Sequence, residues 1–90
     1  MAYNVVIHSE KRWEKDMKLL TPKQKTAVLS VLKKLQEEPW PKEIKVKYLR
    51  HYDTADYRVR VADVYRILFY FEPVNKVVRV LRVLHRSKLY

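Results

Sequence analysis

The sequence has no glycine and no cysteine in 90 residues. Without cysteine, neither a disulfide framework nor a thiolate metal site can form. Without glycine, every turn must be made by proline, asparagine, aspartate or ordinary residues, which leaves a comparatively stiff chain. Long apolar runs are missing as well: stretches such as Ile67 to Phe71 fall far short of the roughly 20 residues that a membrane-spanning helix needs. The amino terminus has no charged segment leading into an apolar one, so no export signal is expected. No cluster of carboxylates or histidines has the spacing that would hold a divalent ion, and neither a metal nor a cofactor is expected. Acidic charge is scarce too, with 10 Asp and Glu against 20 Lys and Arg and a formal charge of +10. Such a surface attracts polyanions, nucleic acid first, or acidic protein segments. What remains is a basic, soluble, cytoplasmic protein with no membrane partner, a single domain over residues 1–90, whose 48% hydrophobic content fills one modest core.

The periodicity of the apolar residues predicts an α+β fold of order βααββββ. Tyr3 to His8 alternates around Val5 and Ile7 as a first strand. Ser9 is a helix cap, and Trp13, Met17 and Leu20 then make one inward stripe that ends near Leu20. "TPKQ" at Thr21 to Gln24 is a capping box with proline at the first helical position, opening a second helix whose apolar positions are Ala27, Val28, Val31, Leu32 and Leu35. The two helices are expected to form a hairpin on one face of an antiparallel, twisted sheet. "IKVKYL" from Ile44 to Leu49 reads as a strand with one basic face, and His51 to Asp56 as a polar loop. Three strands follow as a meander: Tyr57 to Val61, Tyr65 to Phe71 and Val77 to His85. Asn75 is the residue expected in a left-handed turn position between the last two.

Alternation sorts the arginines of "YRVRVADVYRILFYF". Tyr57, Val59 and Val61 share one face, as do Tyr65, Ile67, Phe69 and Phe71; Arg58, Arg60 and Arg66 fall together on the other. Arginines on adjacent strands, with no carboxylate at cross-strand distance, predict a concentrated positive patch on a rigid sheet. Lys45, Lys47, Arg50, Arg82 and Lys88 widen the basic surface as candidate RNA contacts. The end of the chain, "VLHRSKLY", adds His85, Arg86 and Tyr90, a set able to move a proton, hold a phosphate and stack on a base.

The "YRVRV…DVYRI" hairpin and the "HR…Y" terminus, preceded by a βαα unit and a basic strand, resemble the RelE/ParE toxins of toxin–antitoxin pairs, RelE-like members in particular. The resemblance covers nearly the whole chain, with Ala62 where members commonly have glycine. It implies a ribosome-dependent endoribonuclease that cleaves mRNA in the 30S A site and is neutralised by a cognate acidic antitoxin. By position it assigns Arg58, Arg60, Arg66 and Arg86 to phosphate contact, Tyr90 to base stacking, and His85 to a site that is histidine in some relatives. The implied chemistry is attack of a 2′-hydroxyl on the adjacent phosphate without a metal. Arginine stays charged and so clamps the phosphate without acting as base, which leaves His85, the preferred group, or Lys45 or Lys47 to move the proton. A ParE-like gyrase inhibitor and a non-catalytic basic RNA-binding domain are the competing readings.

Overall fold

Both helix starts form where the side chains can satisfy the otherwise unpaired first-turn amides. In the computed structural model, which describes residues 2–49 and 55–88, strand β1 (Asn4–Ile7) leads to helix α1 (Glu10–Lys18), capped by the Ser9 hydroxyl accepting from the Arg12 amide at 3.3 Å. Helix α2 (Pro22–Lys34) opens on the reciprocal pair of bonds between Thr21 and Gln24, at 2.9 and 3.2 Å. Each such cap is worth about 1 kcal/mol. A 3-10 turn at Lys42–Ile44 follows, then β2 (Lys47–Tyr48), β3 (Tyr57–Val61), β4 (Tyr65–Glu72) and β5 (Val77–His85), with a final 3-10 turn at Arg86–Lys88.

The strands form one sheet in the order β1-β5-β4-β3-β2. The meander from β2 to β5 is antiparallel throughout, as alternation and short connections require, whereas β1 joins the edge of β5 in parallel. The two helices carry the chain from one sheet edge to the other. Helix α1 lies against β5 and α2 against β3. Leu20, Val28 and Leu35 meet Val59, Ile67, Phe69, Val78 and Val80 in the core on that face. Fully burying side chains of this size stabilises the fold by about 1.5–3 kcal/mol each. Trp40 closes the end of this layer: its indole N–H donates to the Leu35 carbonyl at 3.0 Å, and its ring meets Phe71 edge-on at 4.9 Å.

Two expectations are corrected. Ile44 to Leu49 is not one strand: Ile44 turns into the core, Lys45 has φ 53°, and pairing is confined to Lys47 and Tyr48. Alternating lysines imitate a strand, but burying Ile44 from a 3-10 turn breaks the period. The left-handed position of the last turn is Lys76 (φ 55°), not Asn75. Along β5, the pairing with β4 slips by one residue. Leu68 faces Arg82 while Phe69 faces Val80, so Leu81 is an extra residue in a bulge. Residues 51–54 of the predicted polar loop lie outside the described residues; Ala55, at its end, is buried.

Candidate nucleic-acid interface

The sheet face away from the helices carries the arginines in two rows set by the strand register. Lys47 pairs with Arg58, Arg58 with Leu68, and Leu68 with Arg82; one step along, Arg60 pairs with Arg66 and Arg66 with Leu84. Cations therefore stand directly opposite cations at Lys47–Arg58 and at Arg60–Arg66, an arrangement that is destabilising by itself and is relieved by an anion between them. Arg60 is exposed and Arg58 half-buried, whereas Arg66 is only 5% exposed. The Arg66 guanidinium turns back on its own hairpin, one nitrogen donating to the carbonyls of Asp63 (3.2 Å) and Tyr65 (3.0 Å). That hairpin is tight, with Ala62 at φ 50° and Asp63 at φ 62°. Arg66 thus brings its charge to the row from below while bracing the turn beside it.

The other predicted residues do not all join this face. Arg82 lies in the first row, yet its guanidinium is engaged by Asp16 in a two-bond pair at 2.9 Å each. Asp16, 4% exposed, also accepts the Val83 amide at 3.0 Å. Strand β1 pairs with β5 only from Val77 to Val80, so Asp16 covers the edge just beyond it. Arg82 is therefore tied to the scaffold where an open RNA contact had been expected. The residue is legible in the sequence only in retrospect: Asp16 completes the inward spacing of Trp13, Met17 and Leu20, a carboxylate on a buried stripe.

His85 sits across the sheet from the arginine rows. Its cross-strand partner is Tyr65, on the helix-covered side, and the two rings meet edge-on at 5.4 Å. The Ser87 amide donates to His85 Nδ1 at 3.2 Å, and the Ser87 hydroxyl lies 2.8 Å from the same nitrogen, which leaves Nε2 to carry the proton of the neutral ring. Arg86 is exposed, and its amide donates to the Val64 carbonyl at 2.7 Å, so the end of β5 is fastened to the β3–β4 turn. Lys88 is exposed in the last turn. Arg50 and Tyr90 lie outside the described residues.

The rows continue into a groove of about 630 Å³ between α2, the first 3-10 turn and β3. Lys34, Lys45, Lys47, Arg58 and Arg60 line it, together with the apolar Val31 and Ile44 and the acidic Glu43 and Asp63. Lys34 pairs with Glu43 at 3.2 Å. In the sequence Lys34 reads as part of a solvated helix face, and only the fold brings it to the arginines.

No protein-family model and no curated protein matches the chain. Among solved structures it is similar to a chain of the archaeal RelE–RelB complex from Pyrococcus horikoshii, with 27% identity and a TM-score of 0.75 over 98% of this chain and 99% of that one. A chain of the toxin–antitoxin complex RelBE2 from Mycobacterium tuberculosis shares the fold, with 23% identity and a TM-score of 0.71 over 96% and 100% of the two chains.

Proposed function

Because the chain belongs to the RelE-like toxin superfamily, we propose that it is the toxin of a toxin–antitoxin pair and that it stops translation by cutting mRNA on the ribosome. The observation that carries the reading is the register of the open face, where Arg60 opposes Arg66 and Lys47 opposes Arg58. Cations set in opposition on a rigid sheet are suited to a phosphate whose charge grows as it becomes pentacoordinate. In the step proposed, the 2′-oxygen attacks the neighbouring phosphorus and loses its proton. The bond from phosphorus to the 5′-oxygen breaks, and that oxygen takes up a proton. The products are a cyclic 2′,3′-phosphate and a free 5′-hydroxyl.

Arg58, Arg60 and Arg86 contact the phosphate, while Arg66, braced by its turn, supplies charge from beneath. The arginines hold their protons throughout. Of the proton-transfer candidates, the strand register brings Lys47 to this face, directly across from Arg58, whereas the ring of His85 is on the other side of the sheet. Tyr90 keeps the role that the resemblance gives it, stacking on a base beside the cut. A site so sparse in acid and base groups depends on the ribosome to align the 2′-oxygen. The partners are accordingly the ribosomal A site with its mRNA, and an acidic antitoxin that covers the basic face. Among the described residues no helix is long and apolar enough to cross a membrane, and a ribosome-dependent enzyme works in the cytoplasm.

Mapping cut sites on mRNA in stalled ribosomes tests the reading. Wild-type protein is expected to cut ribosome-bound mRNA and to leave the same RNA, free in solution, nearly intact. Arg60→Ala is expected to lose about 10²–10³ in rate, the usual effect of removing one charge-stabilising donor. Equal cutting of free and bound RNA overturns the ribosome dependence. Inhibition of gyrase supercoiling with no effect on translation overturns the nuclease reading altogether.

A further inference from the structure

The groove beside the arginine rows is lined with more cations than a single phosphate requires. Arg58 and Arg60 belong to both the groove and the open face, and Lys34 from the end of α2 and Lys45 after the 3-10 turn line the groove with them. Among the described residues β2 pairs only with Tyr57 and Arg58, so the edge of β3 from Val59 to Val61 is not covered by a further strand. A chain bound on the arginine rows can therefore pass around that edge without leaving cationic surface.

We propose that this groove is a second subsite for single-stranded RNA, which holds the phosphates flanking the scissile one between Lys34 and Lys45. The inference rests on the RNA-cutting reading of the open face and names how far its substrate extends. Cations beside the apolar Val31 and Ile44 suit a nucleotide, whose phosphate meets the lysines while its flat base or sugar covers the apolar side chains. Glu43 and Asp63, also in the lining, repel a second backbone, which favours a single strand over a duplex. Lys34 and Glu43, both in the lining, pair at 3.2 Å, which keeps the Lys34 ammonium at the groove.

Binding of two fluorescent probes to the full chain at several salt concentrations tests this: a uridine trinucleotide, and an oligouridylate of about twelve nucleotides, within the span that single-strand binders cover. For the long probe, Lys34→Gln is expected to make the plot of log affinity against log salt shallower by about 0.7, and addition of Lys45→Asn by about 1.4 in total, with affinity down about tenfold. Trinucleotide binding is expected to be unmoved by Lys34→Gln. The charge-keeping pair Lys34→Arg and Lys45→Arg is expected to retain the wild-type slope, which distinguishes lost contacts from lost folding. An unchanged slope for the long probe in the Lys34→Gln/Lys45→Asn protein overturns the subsite, and so does an equal loss on both probes. Arg60→Gln separates the underlying reading: it should weaken both probes, and if it weakens neither, RNA binding on the open face fails whatever the lysines do. An oligoglutamate that binds more tightly than the long probe, and that needs Lys34 and Lys45, overturns the RNA assignment in favour of an acidic protein segment.

Discussion

Phe69 and Leu68 are neighbours on β4, buried almost equally at 0% and 1% exposure, yet on opposite faces of the sheet. Phe69 meets the helix-side core, with the rings of Trp40 and Tyr57 at 5.6 and 5.5 Å. Leu68 has Arg58 and Arg82 as its cross-strand neighbours, and arginine stems cover apolar surface while their charged heads stay out of it. One face is therefore built to exclude water and the other to hold cations in place. Removing Phe69 should show the larger consequence: Phe69→Ala is expected to cost about 3–5 kcal/mol in urea unfolding. Leu68→Ala is expected at the low end of its range, about 2 kcal/mol, because flexible arginine stems can close over the gap. Equal losses would mean that the open face is packed as a second core.

The two faces also meet, at Asp16. Its carboxylate holds Arg82 and takes the Val83 amide where β1 no longer covers β5. Asp16→Asn keeps the shape but removes the charge from these bonds, each of a kind worth about 1.5–3 kcal/mol when a charged group takes part. A stability loss of about that size is expected, together with faster hydrogen exchange at the Val83 amide. If that exchange rate does not change, Asp16 is merely a surface partner of Arg82, and the comparison between a packed face and a held face loses its hinge.

Local rules were enough to read much of this in the sequence. Both caps, the apolar stripes of the helices, and the division of β3 and β4 into a core face and an arginine face all follow from period and spacing. What escaped is set by contacts between distant parts of the chain. Nothing local says that β1 pairs in parallel with β5, or that Lys34 on α2 reaches the groove of Arg58 and Arg60. The bulge at Leu81 was visible as a break in "RVLRV", where Val80 and Val83 cannot share a face without an extra residue, but the break is ambiguous until the neighbouring strand fixes the register. His85 and Arg86 adjoin in sequence, but His85 ends β5 on the helix-covered side while Arg86 opens the final 3-10 turn, a change of element that spacing alone does not show.

A smaller effect sharpens the comparison furthest. If the open face exists to hold an anion, its empty state carries an electrostatic cost that the packed face does not. Arg60 opposes Arg66 directly, and like charges in that relation are destabilising by about 0.2–1 kcal/mol. Arg60→Gln is therefore expected to raise stability by that amount at low salt even as it removes a phosphate contact, and the gain should shrink as salt screens the exposed charge. Inorganic phosphate should narrow the same gap from the other direction, raising the melting temperature of the wild type more than that of Arg60→Gln, since a ligand stabilises the state that binds it. A variant that loses stability, with no difference in its response to phosphate, would place Arg60 among the residues that hold the sheet together and remove the physical reason for reading this face as a site.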